Sequence, residues 1–366
     1  MPSSLDHKTH GAPGLVALLG SGETAAAGRR VIGRVLAALP EPRTVVVLDT
    51  PAGFQPNARL VAEKLARFIM ESIGEQRPLV QVVETRRELL GTPAGDAALK
   101  AIAGARCIIA GPGSPTYMIR ELRETPYLDA IRSAHQRGAA ICLASAATLA
   151  ASAQTIPVYE IFKAGEETSW REGLDLLGEY RLLLALAPHW NNHEGGAELD
   201  TSHCFLGEAR FAALYEQLPP EVTVLAIDEH TGCILDFAAG SVEVLGTGGA
   251  QIFREGRTQS FASGASFPLA LLRGDDEGLA VEGEAWSPLT FAVAEEVAEE
   301  VEDAAASAEL VGVPEALVET LLTIRTELRG AKQWAFADRI RDALTASGIV
   351  VEDTPEGPKW HAEATR

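Results

Sequence analysis

AICLASAATL, residues 140–149, is the stretch that decides the fold. The apolar run from Ala139 to Ala144 predicts a buried strand, and the alanine-rich segment after Ser145 predicts a helix. A serine at such a junction has its hydroxyl at the top of the sheet, where the first backbone N–H groups of the helix point at whatever it attacks. The pattern therefore predicts a nucleophile elbow at Ser145.

A nucleophilic serine needs a base, and the base needs an acid that orients it. His189 follows the apolar run LLLALAP, and Glu229 follows the run EVTVLAID. Because active-site crevices of open α/β sheets form at strand ends, we expect Ser145, His189 and Glu229 to meet there. The turn-rich loop 49–57 also follows a strand and is expected on the rim of this crevice. His135 falls in a polar helical segment ahead of the serine strand.

Apolar strands alternate with amphipathic helices over roughly the first 250 residues. The predicted strands are VALLG, TVVVLD, LVQVVET, CIIAG, AAICLA, LLLALAP and TVLAID. The predicted helices are RRVIGRVLAAL, ARLVAEKLARFIMESIG, YMIRELRETPYLDAIRSAHQRG and ARFAALYEQL. Such alternation indicates right-handed βαβ units. We therefore predict an α/β fold with three layers, a mostly parallel sheet covered by helices on both faces.

The composition limits the class of protein. The chain has 366 residues, 46% of them hydrophobic, and a mean hydropathy of +0.06, which suits a globular protein with a sizeable core. The sequence has no apolar run of about 18 residues, so we expect no membrane contact. It also has no secretory signal, and we expect a cytoplasmic protein. The cysteines have no CxxC spacing, so we expect no metal, no cofactor and no disulfide framework. A net charge of −20 disfavours non-specific binding to nucleic acid.

Six segments occur in a recognisable order. They are LVALLGSGET (15–24), GPGSPTYMIREL (111–122), ASAATLA (144–150), APHWNN (187–192), AIDEHTG (226–232) and VEVLGTGGAQIF (242–253). Together they resemble the aspartyl dipeptidase and cyanophycinase family of serine peptidases. That family has the class I glutamine amidotransferase-like fold, a flavodoxin-like arrangement. The resemblance covers residues 14–255.

This resemblance implies Ser145 as nucleophile, His189 as base and Glu229 as orienting acid. It also implies an oxyanion hole made by the backbone N–H groups of Gly113 and Ala146. The implied substrate is a small peptide or amide, with an acidic residue at the cleaved bond. The side chains that we expect to contact this substrate are Ser114, Asn191, Asn192 and Arg210.

Two other interpretations stay open. The family's Ser-Ala-Gly motif reads Ser-Ala-Ala here, and Leu143 stands where an elbow usually keeps a small residue, so a scaffold without catalysis is one alternative. Cys142 resembles the strand-end cysteine of cysteine-using relatives of this fold, which a lowered pKa would activate. A free cysteine also often just fills a core.

The chain changes character after residue 255. Residues 256–314 read as an acidic linker and helix, and residues 315–366 as a helical module with two amphipathic helices and a hairpin-like tail. This module resembles the C-terminal anticodon-recognition module of cysteinyl-tRNA synthetase. The residues that carry the resemblance are Arg325, Arg329, Lys332, Trp334, Ala337, Asp338, Ile340, Arg341, Leu344, Gly348, Ile349, Glu352, Asp353, Gly357 and Trp360.

The C-terminal resemblance implies contacts with tRNA by Arg341, Asp353 and Trp360, through aromatic stacking on unpaired bases and arginine contacts. Basic and acidic residues nearly cancel from residue 316 onward, so we favour a docking or homodimer contact over tRNA binding. The HIGH and KMSKS signatures of the synthetase are absent from the sequence, which excludes aminoacylation. The alternative to a hydrolase is a non-catalytic binding protein linked to tRNA or the synthetase through this module.

Overall fold

The computed structural model describes residues 12–196 and 198–274. In the C-terminal segment it describes residues 318, 322, 325–326, 344, 349–354 and 357–362. The chain divides into two compact units, residues 1–287 and 288–366. In these described ranges, no helix has both the length and the apolar character needed to cross a membrane. The acidic helix predicted at 290–309 lies outside the described residues.

Fourteen strands lie between residues 12 and 274, as far as these are described. They are β1 (Val16–Leu19), β2 (Thr44–Leu48), β3 (Leu79–Val83), β4 (Cys107–Ala110), β5 (Ala140–Ala144), β6 (Gln154–Thr155), β7 (Arg171–Glu172), β8 (Leu184–Ala187), β9 (Thr223–Ile227), β10 (Thr231–Asp236), β11 (Ser241–Gly246), β12 (Gly249–Arg254), β13 (Arg257–Ala262) and β14 (Ser266–Pro268). The larger sheet has the order β14-β11-β10-β1-β5-β4-β2-β3, and a smaller sheet has the order β13-β12-β9-β8.

The helices of the same region follow most of these strands. They are α1 (Ala26–Ala37), α2 (Ala58–Ser72), α3 (Pro93–Ala103), α4 (Pro115–Leu122), α5 (Pro126–Gln136), α6 (Ala146–Ala150), α7 (Val158–Phe162), α8 (Glu208–Tyr215) and α9 (Ala270–Arg273). The single long helix predicted from residue 117 onward is wrong, because α4 and α5 are separate. Glu124 takes a left-handed conformation with φ of 54°, and Pro126 starts a new helix in which it needs no N–H partner.

The parallel core confirms the predicted α/β class. Strands β1, β5, β4, β2 and β3 pair in parallel, and β10, β11 and β14 extend the sheet beyond β1 through successive antiparallel pairs. Alternate side chains of a strand point to opposite faces. Ala17 and Leu19 accordingly pack with α1 and α2, whereas Val16 and Leu18 join a buried cluster shared with α3, α4, α5 and the smaller sheet. Both faces of the larger sheet are thus covered.

The smaller sheet is a feature that the local pattern did not predict. Strands β8 and β9 form where expected and pair in parallel, but β9 then pairs antiparallel with β12 rather than joining the larger sheet. The prediction of a linker from residue 256 is wrong for residues 257–273. Strand β13 completes a hairpin with β12, and β14 pairs with β11. Phe261 of β13 and Phe267 of β14 stack with 4.2 Å between their ring centroids. Phe267 belongs to the buried core of the first unit, and Phe261 packs against that core.

The C-terminal unit contains an antiparallel hairpin, β15 (Ile349–Thr354) and β16 (Gly357–Ala362). Val318, Leu322 and Leu344 form a small buried cluster, and Trp360 of β16 packs against it. The predicted hairpin-like tail is therefore present.

His135 is a core residue, which corrects its assignment to a polar segment. It is 1% exposed, and its ring lies 2.9 Å from the carbonyl oxygen of Gly14 and 2.8 Å from the hydroxyl of Tyr180. The neutral tautomer protonated at Nε2 donates to Gly14 and accepts from Tyr180. Burial lowers the pKa of His135, although the hydrogen bond to Gly14 opposes this effect.

A pH-dependent loss of stability follows from His135. Since its pKa is lower in the folded chain, the unfolded chain takes up the proton first, and stability is lost as the pH falls below about 6.5. We expect His135→Gln to flatten this part of the pH dependence of the unfolding free energy, measured in urea between about pH 7.5 and 5.5. His193→Gln, at an exposed histidine, should keep the wild-type slope. Equal slopes in the His135 variant and the wild type would refute this role.

Candidate active site

Ser145 lies between β5 and α6 in a strained backbone conformation. Its φ and ψ are 54° and −115°, a combination that costs free energy for any residue with a side chain. Two hydrogen bonds to Leu19 of β1 hold the junction: the Ser145 N–H donates at 3.2 Å, and the Thr148 hydroxyl donates at 2.9 Å. Leu143, at the position where a small residue is usual, packs in the core without preventing this turn. The conformation is the one expected of a nucleophile elbow.

The three predicted catalytic side chains form one hydrogen-bonded chain. Ser145 Oγ lies 2.8 Å from His189 Nε2, and His189 Nδ1 lies 2.9 Å from Glu229 Oε1. The His189 and Glu229 side chains are 15% and 25% exposed, so both are shielded from solvent without being sealed off. Strands β5, β8 and β9 therefore end at one place, although they belong to two sheets. Chemically, this arrangement can move a proton from the serine hydroxyl to the imidazole.

Two asparagines predicted to contact substrate, Asn191 and Asn192, form hydrogen bonds with Glu229. Asn192 is fully buried, and its amide nitrogen donates to Glu229 Oε1 at 2.8 Å. The side-chain oxygen of Asn191 accepts from the Glu229 N–H at 2.8 Å. The hydrogen bond with His189 lowers the pKa of Glu229, and the Asn192 bond acts in the same direction. Glu229 is thus kept ionised beside the imidazole.

Backbone contacts between loops fix the position of His189. Its φ is 55°, and its carbonyl oxygen accepts from the Cys204 N–H at 3.2 Å. The next residue, Trp190, donates its N–H to Ile227 of β9 at 3.1 Å. The ring of Phe205 lies 5.1 Å from the imidazole ring, which places an aromatic side chain next to the candidate base.

Gly113, predicted to belong to an oxyanion hole, lies where two turns approach closely. Its φ is 153°, and a Cβ atom built on it would lie 1.9 Å from the Pro51 carbonyl oxygen. The following N–H, that of Ser114, donates to the same oxygen at 2.8 Å. Ala146 is the first residue of α6, so its N–H is one of those that have no acceptor within a helix. Only glycine allows the two turns to approach this closely.

Ser114 and Arg210, also predicted to contact substrate, lie at the start of α4 and on α8. Ser114 is the N-cap of α4: its hydroxyl oxygen accepts from the Tyr117 N–H at 3.2 Å and lies 3.0 Å from the hydroxyl of Thr116. Arg210 lies on the exposed face of α8. Serine before proline at the start of a helix is a capping pattern, which accounts for the hydrogen bonds of Ser114.

The structure does not support a cysteine nucleophile at Cys142. Its side chain is 1% exposed in the middle of β5, and its sulfur lies 3.9 Å from that of Cys107. Cys204, the neighbour of His203, is also buried. Burial raises the pKa of its thiol to about 12, so the reactive thiolate form is not favoured. Both cysteines behave as small core residues. In the described part of the chain, no group of three or more His, Cys, Asp or Glu side chains could hold a metal ion.

The loop 49–57, expected on the crevice rim, carries contacts that the sequence did not reveal. It includes a 3₁₀ turn, Thr50–Ala52, whose Pro51 carbonyl oxygen receives the Ser114 N–H. Asp49, 1% exposed, accepts from Arg86 at 2.8 Å, and burial nevertheless raises its pKa. The pairing joins the ends of β2 and β3, and no local motif indicates it.

The predicted tRNA contacts are only partly described. Arg341 lies outside the described residues, and for Asp353 the structure gives its place in β15 without its side chain. Trp360 is half-buried against the cluster around Leu322. At least part of its ring therefore packs within its own unit.

Comparison with solved structures confirms the fold. The crystal structure of a peptidase from an acI-B1 Actinobacterium superposes with a TM-score of 0.56 and 18% sequence identity, over 72% of this chain and 100% of that one. At this identity the likeness establishes the architecture, and with it the predicted resemblance at the level of fold.

The C-terminal segment has relatives of another kind. Residues 313–360 match the family described as cysteinyl-tRNA ligase anticodon binding domain. Cysteine–tRNA ligase of Beutenbergia cavernae is 46% identical over 61 residues, which are 17% of this chain and 13% of the relative. That of Halorhodospira halophila is 60% identical over 43 residues, 12% of this chain and 9% of the relative. The chain thus spans a small part of the length of these curated relatives, and the predicted C-terminal resemblance is confirmed.

Replacing Gly113 should disrupt the site through the backbone. We expect Gly113→Ala to lower the unfolding free energy by about 2–4 kcal/mol, because the methyl group meets Pro51 and φ is unfavourable for alanine. Urea unfolding followed by circular dichroism measures this loss. Gly104→Ala is the matched control, since a Cβ atom there would lie 3.5 Å from the Lys100 carbonyl oxygen and its φ is ordinary. A Gly113 variant as stable as the Gly104 variant would contradict the close approach of the two turns.

Proposed function

We propose that this chain is a serine hydrolase that cleaves a small peptide or amide, with Ser145, His189 and Glu229 as its catalytic triad. The observation that carries the proposal is the continuous chain of hydrogen bonds from Ser145 Oγ through the imidazole to Glu229 Oε1. The strained conformation of Ser145 supports it, because such strain is typical of functional positions. The solved structure from the acI-B1 Actinobacterium is that of a peptidase, which is consistent with the proposal.

The first half of the reaction forms an acyl-enzyme. Ser145 Oγ attacks the carbonyl carbon while His189 Nε2 takes the hydroxyl proton. The charge that develops on the carbonyl oxygen is met by the N–H groups of Gly113 and Ala146, and one such donor is worth roughly 3 kcal/mol of barrier. The imidazolium is stabilised by Glu229, which Asn192 holds in place. His189 then passes the proton to the leaving amine, and the carbon–nitrogen bond breaks.

The second half of the reaction releases the acid. Water attacks the acyl-enzyme carbonyl and gives a proton to His189 Nε2. The ester bond to Ser145 breaks, and the serine oxygen recovers its proton from the imidazole. All proton transfers use the same nitrogen, so the Nδ1–H bond to Glu229 is kept throughout.

An activated serine should react with a fluorophosphonate probe. We expect labelling of the purified full chain at Ser145, and its loss in Ser145→Ala and His189→Ala, because the hydroxyl needs the neighbouring base. In-gel fluorescence and peptide mass spectrometry measure the label and its position. Ser260→Ala, at an exposed serine of β13, is the control that should label like the wild type. Undiminished labelling of Ser145→Ala, or an unlabelled wild type, would refute the proposed function.

A second candidate function rests on the C-terminal segment. The match of residues 313–360 to an anticodon binding domain favours binding of a tRNA by this segment, alongside or instead of catalysis in the first unit. Arginine and aromatic side chains suit unpaired bases, and Arg341, Asp353 and Trp360 are the contacts that we propose. The net charge of −20 acts against it, so a docking or homodimer contact is the competing role.

Binding of tRNA by the full chain tests this second candidate. If the segment binds RNA, association with a cysteine-specific tRNA should be measurable at low salt, weaken steeply as salt rises, and weaken further in Arg341→Ala. Fluorescence anisotropy with labelled tRNA provides the measurement, and Arg257→Ala, outside the matched segment, is the control. No binding at low salt would reject the tRNA role. A dimer seen by light scattering in that case would favour the homodimer contact.

A further inference from the structure

A row of aromatic side chains connects the candidate base to the candidate oxyanion hole. This aromatic row consists of Phe205, Phe162, Tyr159, Phe54 and Tyr117. The ring of Phe205 lies 5.5 Å from that of Phe162, and the ring of Phe54 lies 6.3 Å from Tyr159 and 5.6 Å from Tyr117. Tyr159 and Phe162 are three residues apart on α7 and so share a side of that helix.

One end of the aromatic row contacts the candidate base, and the other end packs on the loop that contacts the glycine turn of the candidate oxyanion hole. At one end, Phe205 lies 5.1 Å from the His189 ring. At the other end, Tyr117 packs so closely on Gly53 that a Cβ atom there would lie 2.9 Å from its ring. Gly53 follows the 3₁₀ turn whose Pro51 carbonyl oxygen receives the N–H next to Gly113. The Phe54 end therefore lies on the side of the site where the carbonyl oxygen of a substrate would sit.

Three rings of the aromatic row, those of Tyr159, Phe162 and Phe205, pack against a buried cluster, yet every ring of the row keeps some exposed surface. Phe54 is 44% exposed, and the other four are half-buried. When a ligand covers large apolar side chains that are open to solvent, the burial of their surface makes the free energy of binding more favourable. Edge or offset contacts between an aromatic ring and a ring of the ligand add to this effect. An apolar group of a substrate is the chemistry that such a surface binds.

Charges around the aromatic row do not favour an acidic substrate. Arg86 is held by Asp49 at 2.8 Å and by Glu84 at 3.7 Å. Arg120 lies over the ring of Tyr117 at 4.6 Å and pairs with Glu121 at 3.2 Å. Lys163 lies over the ring of Tyr159 at 5.0 Å. Most of the positive charge here is thus balanced by carboxylates or set against ring faces.

We infer that the aromatic row is the specificity subsite of the proposed hydrolase and accepts an aromatic or large aliphatic side chain on the acyl side of the cleaved bond. This inference rests on the proposed function. It replaces the acidic residue implied by the sequence resemblance, because rings line this part of the site, Arg86 and Arg120 pair with carboxylates, and Lys163 lies over the ring of Tyr159. Phe54 and Tyr159 are the specificity-determining residues, since their rings lie 6.3 Å apart at the part of the row where Phe54 is most open to solvent.

Diphenyl phosphonates that differ only in their side chain test the inference. In these probes Ser145 Oγ forms a bond to phosphorus, a phenol leaves, and His189 carries the serine proton to it. We expect the phenylalanine analogue to modify Ser145 at least about tenfold faster than the aspartate analogue, and faster than the alanine analogue. Phe54→Ala and Tyr159→Ala should each reduce the ratio of phenylalanine to alanine rates several-fold. Mass spectrometry of the intact chain measures the rates.

Leu79→Ala is the matched control. Leu79 is 60% exposed at the opening residue of β3, and the site lies at the other ends of the strands, so this truncation should leave the ratio unchanged. Any one of three results would overturn the inference. The aspartate analogue could react faster than the phenylalanine analogue, or none of the three phosphonates could react. The third such result is a ratio of phenylalanine to alanine rates that is unchanged in both Phe54→Ala and Tyr159→Ala. Labelling of Ser145 by the plain fluorophosphonate separates the two failures, because it requires the triad but no side-chain subsite.

Discussion

The backbone of Ser145 is the constraint on which the site depends. A left-handed φ at a residue with a side chain is costly, and it persists because the surrounding structure leaves no alternative. Leu19 of β1 accepts hydrogen bonds from both Ser145 and Thr148, so the neighbouring parallel strand fixes the start of α6. The hydroxyl is thereby presented to His189.

Electrostatic support for the site comes from uncharged neighbours. Glu229 is the acid of the hydrogen-bonded chain. Asn191 accepts a hydrogen bond from the backbone N–H of Glu229, and Asn192 donates one to its carboxylate oxygen. Amides suit this role because they hold a carboxylate without neutralising its charge. A cation in their place would compete with the imidazolium that forms on His189 during the proposed reaction. The ionised acid therefore remains available to the base alone.

Most of the fold could be predicted from the sequence, because its strands are short apolar runs whose ends are easily recognised. For the same reason the sequence places Ser145, His189 and Glu229 at strand ends, and the structure joins their side chains by hydrogen bonds. The smaller sheet could not be predicted, since the partner of β9 is β12 and local patterns do not specify pairing between strands. His135 was misassigned because its two partners, Gly14 and Tyr180, are 121 and 45 residues away in the chain.

The candidate site also could be predicted only in part. The positions of its reactive groups follow from strand ends, whereas the roles of the residues around them depend on side-chain contacts. Asn192 lies in a polar loop, which suggested substrate binding, yet it is fully buried against Glu229. The aromatic row is drawn from four separate segments, and none of them has a spacing that would connect it to the others in the sequence.

The division of the triad between two sheets has a consequence for the chain as it is made. Ser145 belongs to the larger sheet, while His189 and Glu229 follow strands of the smaller one, whose strand β12 ends at residue 254. A ribosome-bound chain that has just produced the serine strand holds a hydroxyl with no base beside it. Under the proposed function, hydrolytic power arises only with the last third of the first unit. Until then, the chain under synthesis carries the proposed nucleophile without the base and the acid that would activate it.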